Sequence, residues 1–128
     1  MSEPDLAIFD LDNTILNGDS DYSMINYLID INLLDKAAKL KNDEFIRDYQ
    51  HGKLDFNQYT NFALKPYIGM TRKEVHEIIL PFVEKIIEPM INIFALKLLH
   101  EHYENGHKIL LASATNELIV KPIAKRLA

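Results

Sequence analysis

Two short apolar runs, each followed at once by polar residues, set the pattern of this chain. The first covers residues 6–9, and the second covers residues 109–112 after a lysine at 108. A continuous apolar run of this length with polar borders is typical of a strand that is buried on both faces. We therefore predict strands over 6–9 and 108–112, with parallel pairing in a βαβ-type arrangement.

Apolar residues recur at helical spacing elsewhere in the chain, and several helices are predicted from that period. The predicted stretches run from 19 or 20 to 29, from 33 or 35 to 51, from 55 to 65, from 71 onward, from 89 to 104 and from 117 to 127. Asp55 and Thr71 are each followed three residues later by Gln or Glu, as in a capping box. Pro81 predicts a kink in its helix, and Pro122 predicts a bend or a late start.

Asp10 and Asp12 follow the first predicted strand directly. Ligands of open α/β sheets bind at the carboxyl ends of strands. Because side chains two positions apart share one side of a strand, both carboxylates are expected to face one point. Two carboxylates at one point repel unless a cation lies there or one of them holds a proton. A magnesium ion together with a phosphate ester satisfies both requirements.

Ser113 occupies the equivalent place at the end of the second strand. A hydroxyl combined with backbone amides at the start of the next helix forms an anion site. Thr115 or Asn116 is expected to cap that helix. Taken alone, Ser113 is equally compatible with a residue that simply ends a strand.

The segment Asp10-Leu11-Asp12-Asn13-Thr14 matches the DxDxT/V signature and resembles the haloacid dehalogenase (HAD) superfamily of phosphatases and phosphotransferases. The resemblance implies that Asp10 is the nucleophile and a Mg²⁺ ligand. It implies that Asp12 is the general acid and base and a second metal ligand, through its backbone carbonyl. It also implies a phosphate-binding set consisting of Asp10, Asn13, Thr14, Ser113 and Ala114. The alternative is a solvated acidic turn without a ligand.

The predicted helices that follow the first motif resemble the small helical cap of phosphoserine-phosphatase-like HAD hydrolases, subfamily IB. The implied fold class is α/β: a partial HAD-type Rossmann-like core of two parallel strands plus helices, with an inserted all-helical C1 cap. The core is expected over residues 1–18 and 88–128, and the cap over 19–87. Members of this branch keep an acidic residue that meets a substrate amine. Asp19 or Asp21 can take that part, although either can equally cap a helix.

Two departures from the family pattern narrow the expected function. Asn61 stands nearest to the place of the cap arginine of phosphoserine phosphatases, with Lys65 the nearby basic residue, so phosphoserine itself is not expected as the substrate. The family's later lysine and acidic pair do not occur within the 128 residues. Lys121 and Lys125 follow Ser113 too closely to replace that lysine. We therefore expect a form truncated after the second motif.

Two function classes follow. The first is a Mg²⁺-dependent phosphomonoester hydrolase acting on a small phosphorylated metabolite. The second is a catalytically incompetent remnant or an interaction domain. A sheet with so few strands exposes its edges, which predicts a homodimer or a domain swap that covers them.

The composition excludes several classes of partner and bond, but it does not point to a function. The formal net charge is −5 and there are no cysteines, which argues against nucleic acid as a partner and excludes disulfides. No signal peptide or stretch of about 18 apolar residues is recognised, so a cytoplasmic location without membrane attachment is expected. The spacing of the five histidines matches no zinc motif.

Overall fold

The computed structural model describes residues 3–128. The chain divides into two compact units. One contains the residues up to Ser20 together with Val83–Ala128, and the other contains Asp21–Phe82. They are called the strand unit and the helical unit below. The division falls near the predicted bounds of 18 and 88, and the capping role of the helical unit stays a prediction.

The strand unit is built on two parallel strands, β1 (Leu6–Asp10) and β2 (Lys108–Ala112). Their register runs from Leu6 opposite Lys108 to Asp10 opposite Ala112. This confirms the predicted α/β class with two parallel strands. Strand β2 has the predicted bounds, and β1 continues one residue further, to Asp10.

The prediction that both faces of the strands are buried was wrong. Phe9 is buried on the face against which helix α6 (Ile93–Glu104) packs. On the opposite face Leu6 is 55% exposed, Ile8 61% and Leu110 49%. An apolar run shows that a strand is suited to burial, but it does not supply the layer that covers it. Within residues 3–128 this face of the sheet is open.

The helices begin and end within a few residues of their predicted bounds. Besides α6 they are α1 (Ser20–Asp30), α2 (Ala37–Gln50), α3 (Phe56–Leu64), α4 (Arg72–Phe82), the single turn α5 (Glu88–Met90) and α7 (Glu117–Leu127). A 3₁₀ turn (Lys65–Tyr67) follows α3, and a π-helical segment (Val83–Ile87) follows α4.

The helix caps predicted at Asp55 and Thr71 are present. The Asp55 carboxylate accepts from the backbone N–H groups of Asn57 and Gln58, at 3.0 and 3.2 Å. The Thr71 hydroxyl oxygen accepts from the N–H of Glu74 at 3.2 Å. Each cap satisfies N–H groups that have no acceptor within their own helix.

The three prolines in predicted helices have different outcomes. A continuous helix from residue 89 was expected, but Pro89 lies in the one-turn α5, and α6 begins only after Asn92, whose side chain caps it. Phe94, in the first turn of α6, is 86% exposed. Regular α4 ends one residue after Pro81. Helix α7 begins at Glu117 and includes Pro122, so no late start occurs.

The core of the helical unit combines aliphatic residues of α1 with an aromatic cluster. Met24, Ile25 and Leu28 are almost completely buried. The Phe45 ring lies 5.4 Å from Tyr59 and 5.1 Å from Phe62, measured between ring centroids. The ring contacts join α2 to α3, and the buried residues of α1 form the aliphatic part of the interior that the helical period predicted.

Tyr67 is the exception in this interior. Its side chain is buried, and its hydroxyl has no hydrogen-bond partner among the described residues. Burial, with a further contribution from the Asp21 carboxylate, raises the pKa of Tyr67 above its usual value. A buried polar group without a partner costs stability.

We expect Tyr67→Phe to raise the free energy of unfolding by about 1 kcal/mol, because the substitution removes an unpaired buried hydroxyl. The folded protein keeps the phenol proton at a pH where the unfolded chain releases it. Wild-type stability therefore falls as the pH rises above roughly 10, and the variant lacks this component. Urea unfolding at pH 7 and pH 10.5 measures both effects. Tyr49→Phe, at a side chain that is 54% exposed, is the matched control and should change neither. A less stable Tyr67→Phe protein would contradict the expectation.

Candidate functional site

Asp10 is the last residue of β1, and Ser113 follows the last residue of β2. Because Asp10 lies opposite Ala112 in the parallel register, the carboxyl ends of both strands lie side by side at one end of the sheet. The Asp10 side chain is exposed. It makes no hydrogen bond or ion pair with any other residue in the described range. Parallel pairing thus brings the ends of two segments together that lie about a hundred residues apart in the chain.

A tight turn, Leu11–Ile15, follows Asp10. The backbone N–H of Leu16 donates to the Leu11 carbonyl at 3.0 Å, and the N–H of Asn13 donates to the Gly18 carbonyl at 3.0 Å. Leu11 and Ile15 are fully buried, whereas Asn13 and Thr14 are exposed. The two apolar side chains therefore anchor the turn and leave its polar middle accessible at the strand end.

Asp12 lies in this turn rather than on the strand, so strand alternation does not determine where its carboxylate points. Its Oδ1 accepts the backbone N–H of Ser20 at 2.8 Å. Its Oδ2 accepts the hydroxyl proton of Thr115 at 2.7 Å. The Oγ atoms of Ser20 and Thr115 are themselves 3.0 Å apart and buried. Hydrogen bonds at both carboxylate oxygens thus restrain the Asp12 side chain.

The segment after β2 contributes the other polar groups. The half-buried Ser113 uses its Oγ to accept the N–H of Thr115 at 3.0 Å. Ala114 is exposed. Of the two residues expected as the cap of α7, Asn116 is at the N-cap position, although its side chain makes no capping hydrogen bond, and the Thr115 hydroxyl bonds to Asp12 instead. Sequence reasoning missed this contact, because nothing local relates residues 103 positions apart.

The two acidic residues considered for substrate selection fall in different units. Asp19 belongs to the strand unit and is half-buried. Asp21 belongs to the helical unit and is 7% exposed. Its carboxylate adds to the effect of burial in raising the pKa of the Tyr67 phenol. Whether either residue contacts a substrate stays a prediction.

The strand end offers few protein ligands for a magnesium ion. Within residues 3–128, no group of three or more His, Cys, Asp or Glu side chains is placed to hold a metal ion. Both Asp12 carboxylate oxygens are already hydrogen-bonded, so the available protein ligands are the Asp10 carboxylate and the Asp12 backbone carbonyl. Mg²⁺ commonly keeps several waters and binds through one or two carboxylates plus substrate phosphate. The donor set fits an ion of this kind.

The fold and the site define a class: an α/β protein with an accessible carboxylate at the end of one parallel strand and hydroxyl groups at the end of its neighbour. The particular family follows from comparison with known proteins. The model of the haloacid dehalogenase-like hydrolase family matches residues 7–128. The chain belongs to that family.

Individual relatives agree with this assignment. The chain is 40% identical over 119 residues to a protein named histidinol-phosphatase from Neisseria meningitidis serogroup C (strain 8013), covering 92% of this chain and 54% of the relative. It is 25% identical over 126 residues to an inhibition of morphological differentiation protein from Streptomyces azureus, covering 94% of this chain and 45% of that protein.

A solved structure shows the same fold. The crystal structure of a protein with unknown function from Bordetella pertussis Tohama I superposes with a TM-score of 0.87 at 28% identity, covering 98% of this chain and 57% of that one. The chain thus spans about half the length of the relatives that it matches. Within the described part of the chain, no helix is long and apolar enough to cross a membrane.

The backbone of the turn allows a direct test of its geometry. Asn13 has a φ of +59°, a left-handed conformation that Asn and Gly adopt more readily than other residues. We expect Asn13→Ala to lower the free energy of unfolding by about 1 kcal/mol, because alanine keeps the Cβ strain of this conformation but lacks the polar side chain that compensates for it in asparagine. Asn13→Gly, the matched variant, should stay within about 0.5 kcal/mol of the wild type. Thermal or urea unfolding of both variants gives the comparison, and equal losses would argue against a left-handed residue 13.

Proposed function

We propose that this chain carries the reaction centre of a HAD-type phosphatase that hydrolyses a phosphomonoester through an aspartyl-phosphate. In this proposal an Asp10 carboxylate oxygen attacks phosphorus, and the ester oxygen leaves with a proton from Asp12. Asp12 then removes a proton from water, whose oxygen attacks the phosphorus of the aspartyl-phosphate and releases inorganic phosphate. The observation that carries the proposal is the contrast between an accessible, unpaired Asp10 and a restrained Asp12 at one strand end.

The polar groups around Asp10 suit a phosphoryl group. We assign phosphate binding to the Ser113 hydroxyl, the Ala114 backbone and the turn residues Asn13 and Thr14. The exposure of Asn13, Thr14 and Ala114 supports this assignment, because a ligand can reach them. Hydroxyl and amide donors placed beforehand around a developing negative charge stabilise it without reorganisation.

We propose Mg²⁺ as the cofactor, held by the Asp10 carboxylate and the Asp12 carbonyl. Bound there, the ion would offset the repulsion between the nucleophilic carboxylate and an anionic phosphate. Family membership supports this assignment. The remaining coordination positions would belong to water and to the substrate, as is usual for this ion.

The substrate is proposed from the relatives. One of them is named histidinol-phosphatase, so we propose a small phosphate ester of an amino alcohol as the substrate class. Asp19 or Asp21 is the candidate for meeting the amine, and the helical unit is the candidate cap. Membership of subfamily IB and a cytoplasmic location stay predictions of the sequence.

The decisive experiment compares wild-type protein with Asp10→Asn on p-nitrophenyl phosphate and L-histidinol phosphate. With Mg²⁺ present, we expect the variant to lose at least about 100-fold in turnover, because an amide cannot form the aspartyl-phosphate. Excess EDTA should lower wild-type turnover to a similar degree. Asp5→Asn is the matched control: Asp5 is an exposed aspartate of the strand unit, 3.8 Å from His107, and its change should leave the rate within about twofold.

Equal rates for wild type and Asp10→Asn would reject the phosphatase assignment. They would favour the second function class from the sequence, a non-catalytic remnant or interaction domain. A loss that appears equally in Asp5→Asn would also reject it, because the effect would then not be specific to the strand-end carboxylate.

We further propose that this 128-residue chain self-associates through its open sheet. Both edges of the β1–β2 pair are unpaired within residues 3–128, and Leu6, Ile8 and Leu110 leave the adjoining face apolar. Unpaired strand edges next to apolar surface tend to pair with another chain.

Sedimentation velocity across a range of protein concentrations tests this association. We expect the wild type to form dimers and Ile8→Lys to stay monomeric, because the new charge would be buried at the contact. The control is Leu40→Lys on α2, where the leucine is 76% exposed, and it should behave as the wild type does. A monomeric wild type at 100 µM, a concentration of roughly the level at which exposed strand surfaces associate, would overturn the proposal.

A further inference from the structure

Three side chains from separate parts of the strand unit form one hydrogen-bonded cluster. Asp12 comes from the turn after β1, Ser20 is the first residue of α1, and Thr115 follows β2. The cluster contains a 2.7 Å bond from Thr115 to Asp12, a 2.8 Å bond from the Ser20 N–H to Asp12, and a 3.0 Å contact between the two hydroxyls. Ser20 is fully buried and Thr115 is 9% exposed.

The directions of these bonds follow from the number of protons available. A threonine hydroxyl has one proton, and that of Thr115 is donated to Asp12 Oδ2. Toward Ser20 the Thr115 oxygen therefore accepts, and the Ser20 hydroxyl donates. The Ser20 N–H can only donate. The cluster is thus a chain from the Ser20 hydroxyl through Thr115 to the carboxylate, closed by a second bond from the Ser20 backbone.

We infer that Thr115 is a positioning residue for Asp12, with Ser20 as its support. The inference rests on the proposed function, in which Asp12 transfers a proton to the leaving oxygen. Bonds at both carboxylate oxygens restrict rotation of the Asp12 side chain, and the burial of Thr115 and Ser20 limits competition from water. Without the Thr115 hydroxyl, Oδ2 loses its donor and the side chain can turn about its remaining bond to the Ser20 N–H.

The consequence should depend on the leaving group. An alkyl phosphate releases an alkoxide that needs a proton, whereas p-nitrophenyl phosphate releases a stable phenolate that needs none. A misplaced Asp12 should therefore slow phosphorylation of Asp10 by the alkyl ester much more than phosphorylation by the aryl ester. A purely structural defect at Thr115 would slow both reactions alike.

The test uses Thr115→Val, which keeps the shape but lacks the hydroxyl, and Thr115→Ser, which keeps the hydroxyl. Rapid-quench measurement of the first turnover isolates phosphorylation from the later hydrolysis of the aspartyl-phosphate. For Thr115→Val we expect the ratio of the L-histidinol phosphate rate to the p-nitrophenyl phosphate rate to fall about tenfold or more, since general acid catalysis contributes roughly 10²–10⁴-fold. Thr115→Ser keeps a hydroxyl that can donate to Asp12, so its ratio should stay within about threefold of the wild-type ratio.

The outcomes separate the two proposals. If Asp10→Asn abolishes activity while Thr115→Val leaves the ratio unchanged, the positioning role is wrong and the proposed function stands. If wild type and Asp10→Asn do not differ, the proposed function fails and this inference fails with it. Should Thr115→Val not fold, as judged by circular dichroism, Ser20→Ala takes its place, because it removes the donor behind Thr115. An unchanged ratio in folded Ser20→Ala would then overturn the inference.

Discussion

The parallel pairing of β1 with β2 is the constraint on which the site depends. Because Asp10 lies opposite Ala112, Asp10, the candidate nucleophile, and Ser113 lie at the same end of the sheet. A register shifted by one residue would turn every side chain of one strand to the other face. Phe9 would then point away from α6, and the buried contact of that helix with the sheet would be lost. Packing of the strand unit therefore fixes the placement of the polar residues that follow each strand.

Hydrogen bonds extend this constraint from the strands to the turns. The bond between Thr115 and Asp12 joins the two strand ends directly, and the Ser20 N–H adds the start of α1. A buried polar group without a partner lowers the free energy of unfolding, whereas a network in which every group is paired favours one specific arrangement. Here the bonds are made between groups that local sequence places far apart, so they help to define one arrangement of the strand ends.

The sequence predicts the strands, helices and helix caps, because these depend on the local spacing of apolar residues and on capping residues. The apolar runs predicted β1 and β2, and Asp55 and Thr71 were correctly predicted as caps. The DxDxT/V motif predicted the family. Where a result depends on distant contacts, prediction was incomplete. The open face at Ile8 follows from the lack of a covering layer within the described residues, and the Thr115 contact follows from tertiary packing alone.

The error at Pro89 has a related cause. Pro89 is suitable for a first helical turn, and it does occupy one. What sequence reasoning missed is the extended Ile91, which pairs with Leu16 in an antiparallel bridge and ends that turn. The Asn92 side chain then provides two acceptor contacts for the start of α6. A tertiary contact of one residue thus decided where the helix begins, against a favourable local pattern.

The environments of the two aspartates support a division of labour between them. Asp10 and Asp12 are separated by a single residue, yet only Asp12 is bonded at both oxygens. A nucleophile must approach phosphorus, which requires an oxygen that is not already committed to a protein donor. An acid and base must return to the same position in both half-reactions, which favours restraint. The two conditions occur at different carboxylates, the first at Asp10 on the end of β1 and the second at Asp12 in the turn that follows it.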